Sequence, residues 1–477
     1  MDRPASFAAI GVLLIPLLCP AAAPAAQAVA AQAAADRRSQ DSWRAGFARR
    51  EITPEKPLFL AGYASRNRPF DHVESPLFVK ALALEDADGR RAVLVTCDII
   101  GFKRMAAELI CERIQAASTL DRKNILLNAS HIHTGPSLLL DADERSERMT
   151  GDQAGEQVAW TRRLIDLTVE AALEALAELE PARLSYGVGF APFVMNRREW
   201  TPGGVRLGFN PSGYADRSVP ILRIDAADGT LRGVVFGAAV HNTTLTQDHY
   251  FVSGDFAGYA QAHLEQKHPG AQAMFMTGCA GSANPHPRGT LEQAQQHGET
   301  LGREVCRALA GDLAAVAGPL DARFATIELP LADPPTRAEI DAALSSRGGW
   351  ESQMARAMLR VLESGESLPA SRAYELSVWR FGDDLTLVGL SGEVVGEFVP
   401  LLQAAVEPGR LWIAAYCHDV FGYVPTARIL EEGGYETRGT YSGRPGLFSP
   451  KAEPRLVDAV RRLARAAAPA SDPGARR

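Results

Sequence analysis

The chain has 477 residues, of which 46% are hydrophobic and 22% charged, so it can bury a large core, and its length allows two or three domains. Its formal net charge of -7 argues against a nucleic-acid partner, because that kind of partner normally requires a basic surface, and it equally disfavours anionic, phosphate-rich partners.

The N-terminus has the features of a secretory signal peptide. Arg3 precedes an apolar stretch over residues 7–18, and residues 26–30 fit the small-residue cleavage pattern. The apolar stretch is shorter than the ~20 residues that a membrane span needs. We therefore predict a signal peptide over 1–30, an alanine-rich linker over 31–44, and an exported protein that is periplasmic or secreted.

The mature chain mixes strands and helices. Its first part predicts a β-α-β unit that delivers His131 to the end of a strand. We expect an α/β catalytic domain over 45–466, with mixed β-sheets flanked by helices in layers, and a disordered tail over 467–477. In chain order the predicted elements are strand 91–98, helix 102–117, strand 124–130, helix 157–179, strands 184–190 and 219–225, helix 257–267, strand 273–277, helix 292–310, strand 320–329, helix 337–363 and a strand-rich stretch over 373–390.

Two histidines, His131 and His133, stand at the end of an apolar run over 125–130. Side chains at i and i+2 of an extended strand project the same way, and Thr134-Gly135-Pro136 turns the chain into a loop. Imidazole is a preferred zinc ligand, but a hydrogen-bonded histidine pair at a strand end has the same pattern. The motif alone leaves both interpretations open.

Further candidate ligands follow other apolar runs. They are His241, Glu393 and the loop from Tyr416 to Tyr423. Continuous apolar runs are typical of strands that are buried on both faces, and α/β sheets bind ligands beyond the carboxyl ends of such strands. Two histidines and a carboxylate form an ordinary catalytic zinc set with an open position for water, whereas a phenolic oxygen is a less usual ligand.

Several short stretches, weak singly but specific in their order and spacing, carry a family resemblance. They are Glu51-Ile52-Thr53-Pro54, Ala61-Gly62-Tyr63-Ala64, the block 130–136, Asn196-Arg197, Val240-His241-Asn242-Thr243-Thr244, the block 278–285, the block 388–393 and Phe421-Gly422-Tyr423-Val424. Over roughly 47–436 the chain resembles the catalytic domain of the neutral/alkaline, non-lysosomal ceramidases.

The resemblance implies a zinc-dependent amidohydrolase acting on a ceramide-like or other N-acylated substrate by zinc-hydroxide attack. It implies that four residues hold Zn²⁺ and that His133 and Arg197 face the reacting carbonyl. The partner is then a small-molecule or lipid-like N-acyl substrate, and peripheral membrane contact is an open alternative. The metal ligands are His131, His241, Glu393 and Tyr423, and the catalytic residues are His133, Arg197, Asn284 and Tyr423.

Two departures from the family pattern affect the expected chemistry. Asn284 stands where the family has a serine, so direct hydroxide attack is favoured over an acyl-enzyme, with Ser282 as a rival nucleophile. We also expect no immunoglobulin-like domain after the catalytic one. An ester or lactone hydrolase, and an inert metal-binding or carbohydrate-binding module on the same scaffold, are alternatives. The pocket walls are expected from loops over 141–155 and 200–214.

Overall fold

The computed structural model describes residues 43–141, 149–345, 350–406, 409–439 and 445–465. The predicted signal peptide, all but the end of the predicted linker, and the predicted tail lie outside these ranges. The first strand begins at Trp43, two residues before the domain boundary that we predicted. Within the described chain, helices that combine the length and the apolar character needed to cross a membrane are not found.

Strands and helices succeed one another along the described ranges. The strands are β1 (Trp43–Glu51), β2 (His72–Val73), β3 (Phe78–Glu85), β4 (Arg91–Cys97), β5 (Ile125–Ala129), β6 (Glu180–Phe190), β7 (Val194–Thr201), β8 (Gly204–Asn210), β9 (Ser218–Ala226), β10 (Leu231–Ala238), β11 (Phe251–Val252), β12 (Gln272–Thr277), β13 (Ala283–Pro285), β14 (Ala314–Val316), β15 (Leu320–Pro330), β16 (Ser371–Phe381), β17 (Leu385–Leu390), β18 (Glu393–Val394), β19 (Leu411–Ala414) and β20 (Tyr423–Val424). The helices are α1 (Arg104–Ala117), α2 (Gly151–Ala177), α3 (Asp255–Lys267), α4 (Leu291–Leu309), α5 (Arg337–Ser345), α6 (Trp350–Glu363), α7 (Phe398–Ala405), α8 (Ala427–Glu432) and α9 (Ala452–Ala464).

The largest sheet has the strand order β12-β10-β9-β6-β1-β3-β4-β5, and β14 pairs with β6 as its ninth strand. Its two outermost pairs, β4 with β5 and β10 with β12, are parallel, whereas its other pairs are antiparallel. The predicted β-α-β unit is present as β4, α1 and β5. Both edges of the sheet therefore end in a parallel strand.

A second sheet of four strands has the order β15-β16-β17-β19. The smaller sheets are β13-β7-β8, the parallel pair β18-β20 and the parallel pair β11-β2. The two large sheets pack face to face through Trp43, Leu94, Trp379 and Trp412, all buried. Burial of one such side chain contributes roughly 1.5–3 kcal/mol.

Helices cover the two outer faces, so the molecule has four layers. Helices α1 and α2 pack on β3, β4 and β5, while α3 and α4 pack on β9, β10 and β12. On the far side, α7 and α9 pack on the four-stranded sheet. The prediction of mixed sheets flanked by helices in layers is confirmed.

The edge strands β5 and β12 meet at their carboxyl ends. The side chain of Asn128 accepts a hydrogen bond from the Thr277 backbone N–H (3.0 Å) and donates to the Ala415 carbonyl (2.7 Å). The Thr277 hydroxyl donates to the Ala129 carbonyl (2.8 Å). The large sheet thus closes on itself at one end, and the segment after β19 lies in the closure.

Some sequence-based elements need correction. The region 337–363, predicted as one helix, contains α5 and α6. The stretch 200–214, expected to be a loop, holds most of the β7–β8 hairpin. Helix α2 begins at Gly151 because Thr150 and Gln153 form a capping box at its start, so part of the expected loop 141–155 is helical. Strands β1 and β3 were not predicted.

Candidate active site and metal centre

The predicted ligands lie just beyond the ends of the buried strands. His131 follows β5 by two residues and has a positive φ of 58°, which turns its side chain out of the strand direction. His241 follows β10 by three residues. Glu393 and Tyr423 pair directly in the parallel bridge between β18 and β20, so their side chains leave the backbone on the same side.

Two imidazoles and one carboxylate converge. The Nε2 atoms of His131 and His241 lie 3.3 Å and 3.0 Å from Oε2 of Glu393. On the other side of each ring, Nδ1–H of His131 donates to the Ile100 carbonyl (2.5 Å) and Nδ1–H of His241 donates to the Ala280 carbonyl (2.7 Å). These backbone acceptors fix the tautomer that leaves Nε2 free to bind a metal.

His133 completes a group of three histidines whose ligand nitrogens lie within 4.8 Å of one another. Its Nε2 lies 3.2 Å from Nε2 of His131, while its buried Nδ1 has no hydrogen-bond partner among the described residues. Gly62 packs directly on the ring: its φ is +87°, and a Cβ there would lie 2.2 Å from Nδ1. Only glycine fits this position.

The protonation states suit a metal. Burial, followed by the nearby charge of Arg197, lowers the pKa of His241 to about 3, so this imidazole is neutral. Burial acts to raise the pKa of Glu393, but the charge of His131 and hydrogen bonds from the histidines bring it well below the usual value. A neutral imidazole, as at His241, and an ionised carboxylate, as at Glu393, are forms that bind zinc. The donor set therefore fits the predicted ion.

Arg197 connects the remaining predicted residues. Its guanidinium donates to the Tyr423 hydroxyl (3.0 Å), to Oδ1 of Asn284 (3.2 Å) and to Oε1 of Glu436 (2.9 Å). The Tyr423 hydroxyl lies 3.5 Å from Nε2 of His241. All seven predicted site residues thus form one connected cluster, and the roles assigned to them remain predictions.

Ser282, the rival nucleophile, is directed elsewhere. Its buried hydroxyl donates to Oε2 of Glu397 (2.6 Å) and accepts from the Gly396 backbone N–H (3.0 Å). Asn284, two residues on, accepts from Thr243 (3.3 Å) as well as from Arg197. The Ser282 backbone carbonyl accepts from the Arg197 N–H (2.9 Å), but of the two side chains it is that of Asn284 that hydrogen bonds to Arg197.

Three further residues belong to the site: Tyr416, which begins the predicted candidate loop but was not itself assigned a role, and Tyr435 and Glu436, which the sequence analysis did not single out. Tyr416 is fully buried, with its ring centroid 4.4 Å from that of His131, and its hydroxyl has no hydrogen-bond partner in the described chain. The rings of Tyr435 and Tyr423 are 5.3 Å apart. Glu436 accepts hydrogen bonds from Arg197 and Arg198. The Gly-Gly-Tyr-Glu stretch over 433–436 was the available signal.

Residues 43–319 match the family model described as "Neutral/alkaline non-lysosomal ceramidase, N-terminal". The matched range is more than half of the chain. The chain belongs to this family. The family resemblance predicted from the sequence is therefore confirmed. Glu393 and Tyr423 lie beyond the matched range, yet Glu393 contacts His131 and His241, and Tyr423 contacts His241, inside it.

Curated relatives share part of the chain. The neutral ceramidase of Pseudomonas aeruginosa is 28% identical over 257 residues, which cover 51% of this chain and 37% of that protein. A neutral ceramidase of Mycobacterium tuberculosis is 26% identical over 307 residues, covering 57% of this chain and 46% of that protein. The alignments thus span less than half the length of either relative.

Solved structures show the same fold. The crystal structure of neutral ceramidase from Pseudomonas aeruginosa superposes with a TM-score of 0.68 at 21% identity, covering 89% of this chain and 74% of that chain. A structure described as ceramidase complexed with C2 has a TM-score of 0.68 at 20% identity and covers 89% of this chain and 75% of that one. The layered ceramidase-like fold is confirmed.

We predict that Tyr416→Phe stabilises the metal-free protein, because it removes a buried hydroxyl that has no partner. The free energy of unfolding should rise by about 1 kcal/mol. Tyr63→Phe is the matched contrast, since the Tyr63 hydroxyl donates to the Leu245 carbonyl and accepts from Arg288, both at 3.0 Å, and should be destabilising. Urea unfolding measures both variants, and a destabilised Tyr416→Phe protein contradicts the prediction.

Proposed function

We propose that the protein is an exported, zinc-dependent amidohydrolase that cleaves the N-acyl bond of a ceramide-like or other N-acylated substrate. The observation that carries the proposal is the convergence of His131, His241 and Glu393, in a chain that belongs to the ceramidase family. The names of the relatives supply the substrate class, and the donor set supports the metal.

Zinc would be held by His131, His241 and Glu393, with the hydroxyl of Tyr423 as a fourth ligand. When bound, zinc polarises a carbonyl oxygen and lowers the pKa of water toward neutrality. The chain's own contribution is to present imidazoles whose Nδ1–H groups are engaged by backbone carbonyls, so that the ligand atoms need little rearrangement.

His133 is the proposed proton carrier. It lies beside His131, and burial, followed by the charge of His131, lowers the pKa of His133 well below the ordinary value, so its imidazole is a neutral acceptor. A base in this position takes the proton from the attacking water and delivers it to the leaving nitrogen. Amines leave poorly without a proton, so a proton carrier at this position supplies what amide cleavage requires.

Arg197 is the proposed stabiliser of the developing oxyanion. Glu436 holds one edge of the guanidinium, and the other edge reaches Tyr423 and Asn284 at the cluster. Preorganised donors in a dry site contribute about 3–4 kcal/mol each to lowering the barrier. Because Ser282 is hydrogen bonded to Glu397, water attacks the acyl carbon directly in this proposal.

Export is proposed from the sequence alone, on the apolar stretch over 7–18 and the small residues that follow it. N-terminal sequencing of the mature protein should find cleavage near residues 26–30. An intact Met1 on cytoplasmic protein contradicts export.

The metal assignment is tested by removing one ligand at a time. The protein as purified should carry about one zinc per chain, and His131→Ala or His241→Ala should abolish both the zinc and amide hydrolysis. His72→Ala, which alters an exposed histidine on β2, is the control and should change neither. Elemental analysis and turnover of an N-acyl amide measure the effect; full zinc occupancy in both ligand variants would sink the assignment.

The role of Asn284 is tested by Asn284→Ala. Turnover should fall roughly 10- to 1000-fold, as expected for loss of one polar contact to a transition state, while zinc stays bound. Asn67→Ala, at an exposed amide, is the control. An amide cannot readily form an acyl ester, so rapid-quench mass spectrometry should detect no covalent intermediate. An acyl adduct on Ser282, lost together with activity in Ser282→Ala, would overturn direct attack.

A further inference from the structure

Arg66 is a buried arginine whose guanidinium binds backbone carbonyls from three separate segments of the chain. Only 4% of the residue is exposed. Burial lowers the pKa of Arg66 to about 10, so the guanidinium keeps its charge at neutral pH. Nε makes one hydrogen bond and Nη1 and Nη2 make two each, which equals the number of N–H groups in a guanidinium. The five acceptors are the carbonyls of Gln247 (3.4 Å), Ala61 (2.8 Å), His133, Thr246 (3.3 Å) and His249 (3.0 Å).

The segment over 61–66 also contacts the His133 ring directly. Gly62 packs on the imidazole, and the centroid of the Tyr63 ring lies 4.9 Å from that of His133. The Arg66 guanidinium in turn lies over the Tyr63 ring, 4.8 Å from its centroid. His133 is thus contacted at its ring by Gly62 and Tyr63, and at its backbone carbonyl by Arg66.

His133 depends on these contacts more than its neighbour His131 does. The imidazole of His131 donates to the Ile100 carbonyl (2.5 Å), and its backbone N–H donates to the Ile99 carbonyl (2.9 Å). In His133 the buried Nδ1 has no hydrogen-bond partner among the described residues, and Nε2 lies 3.2 Å from Nε2 of His131. A ring without a backbone acceptor is oriented by its packing and by the backbone that carries it. The backbone contact is supplied by Arg66.

The set of acceptors requires a guanidinium. The acceptors come from Ala61, from His133 and from the loop over 246–249, so the donors must be spread over several atoms. A guanidinium presents five N–H groups on three nitrogens in one plane, whereas a lysine presents three on a single nitrogen. A lysine at position 66 can therefore keep the charge but cannot join all three segments.

We propose that Arg66 is a positioning residue for His133, which it holds beside the metal ligands by tying the His133 carbonyl to the segment over 61–66 and to the loop over 246–249. The inference rests on the proposed amide hydrolysis, in which His133 carries the proton. A displacement of about 1 Å in a reacting group can slow a reaction roughly 100-fold. Loss of Arg66 therefore lowers kcat while substrate and zinc still bind.

The test compares Arg66→Ala and Arg66→Lys with the wild type, using the zinc-loaded full chain and the dodecanoyl amide of aminomethylcoumarin. In both variants kcat should fall roughly 10- to 100-fold while KM changes less than about 3-fold. Zinc content should stay at the wild-type level, because His131 keeps its own backbone acceptors. Hydrogen-exchange mass spectrometry should show faster amide exchange over 131–135 and 245–250.

Free guanidinium ion, added far below the concentration that unfolds the protein, should restore part of the lost kcat and of the slow exchange in Arg66→Ala. It should restore neither in Arg66→Lys, because the lysine side chain occupies the space. The matched control is Arg232→Ala. Arg232 also donates to a backbone carbonyl, that of Ala45 (2.8 Å), but lies at the start of β10, whereas His241 follows its end. The control should leave kcat and the exchange of both segments unchanged.

Each other outcome is decisive. Faster exchange with an unchanged kcat makes Arg66 a structural link between loops and overturns the proposal, as does a loss of kcat that comes with loss of zinc or appears equally in Arg232→Ala. If circular dichroism shows that Arg66→Ala is unfolded, kcat and exchange in Arg66→Lys decide. If the wild type hydrolyses no amide, the proposed reaction fails, while exchange over 131–135 and its recovery with guanidinium still decide whether Arg66 positions His133.

Discussion

The site depends on the hydrogen bonds that Asn128 makes between the two edges of the large sheet. One buried amide engages Thr277 of β12 and Ala415 after β19, and Thr277 in turn engages Ala129 of β5. His131 follows Ala129 by two residues, so the position of His131 is set by this closure. Each of these polar groups would cost about 1–3 kcal/mol if left buried without a partner, which makes the closed arrangement strongly preferred.

This closure between β5 and β12 explains which parts of the structure could be predicted from the sequence. Continuous apolar runs mark β5, β10 and β17, and the carboxyl ends of such strands meet, so convergence of His131, His241 and Glu393 followed from local pattern. The burial of Tyr416 could not be predicted from local pattern, because it depends on packing against His131, which is far away along the chain. The β7–β8 hairpin was missed because Arg198 breaks the apolar alternation, and its burial is explained only by Glu432 and Glu436, more than 200 residues later.

The buried arginines explain why two carboxylates, those of Glu432 and Glu436, lie beside them. Arg197 and Arg198 are adjacent and both nearly inaccessible to solvent, an arrangement that like-charge repulsion and desolvation strongly oppose. Glu436 accepts from both, and Glu432 accepts from Arg198. The charges therefore balance within one small cluster. The cluster holds the cationic edge of the Arg197 guanidinium in a fixed position beside Tyr423 and Asn284. Without it, water would have to reorganise there during a reaction.

One strand thereby serves two purposes. Adjacent residues on β7 point to opposite faces, but the irregular register between Asn196 and Arg198 lets both arginines reach Glu436. Beyond this irregularity the alternation is regular, and Trp200 projects outward. The same strand therefore carries the buried arginine pair and, toward its end, the exposed Trp200. Asn284 lies on β13, which pairs with β7, so it is held in the same small sheet as Arg197.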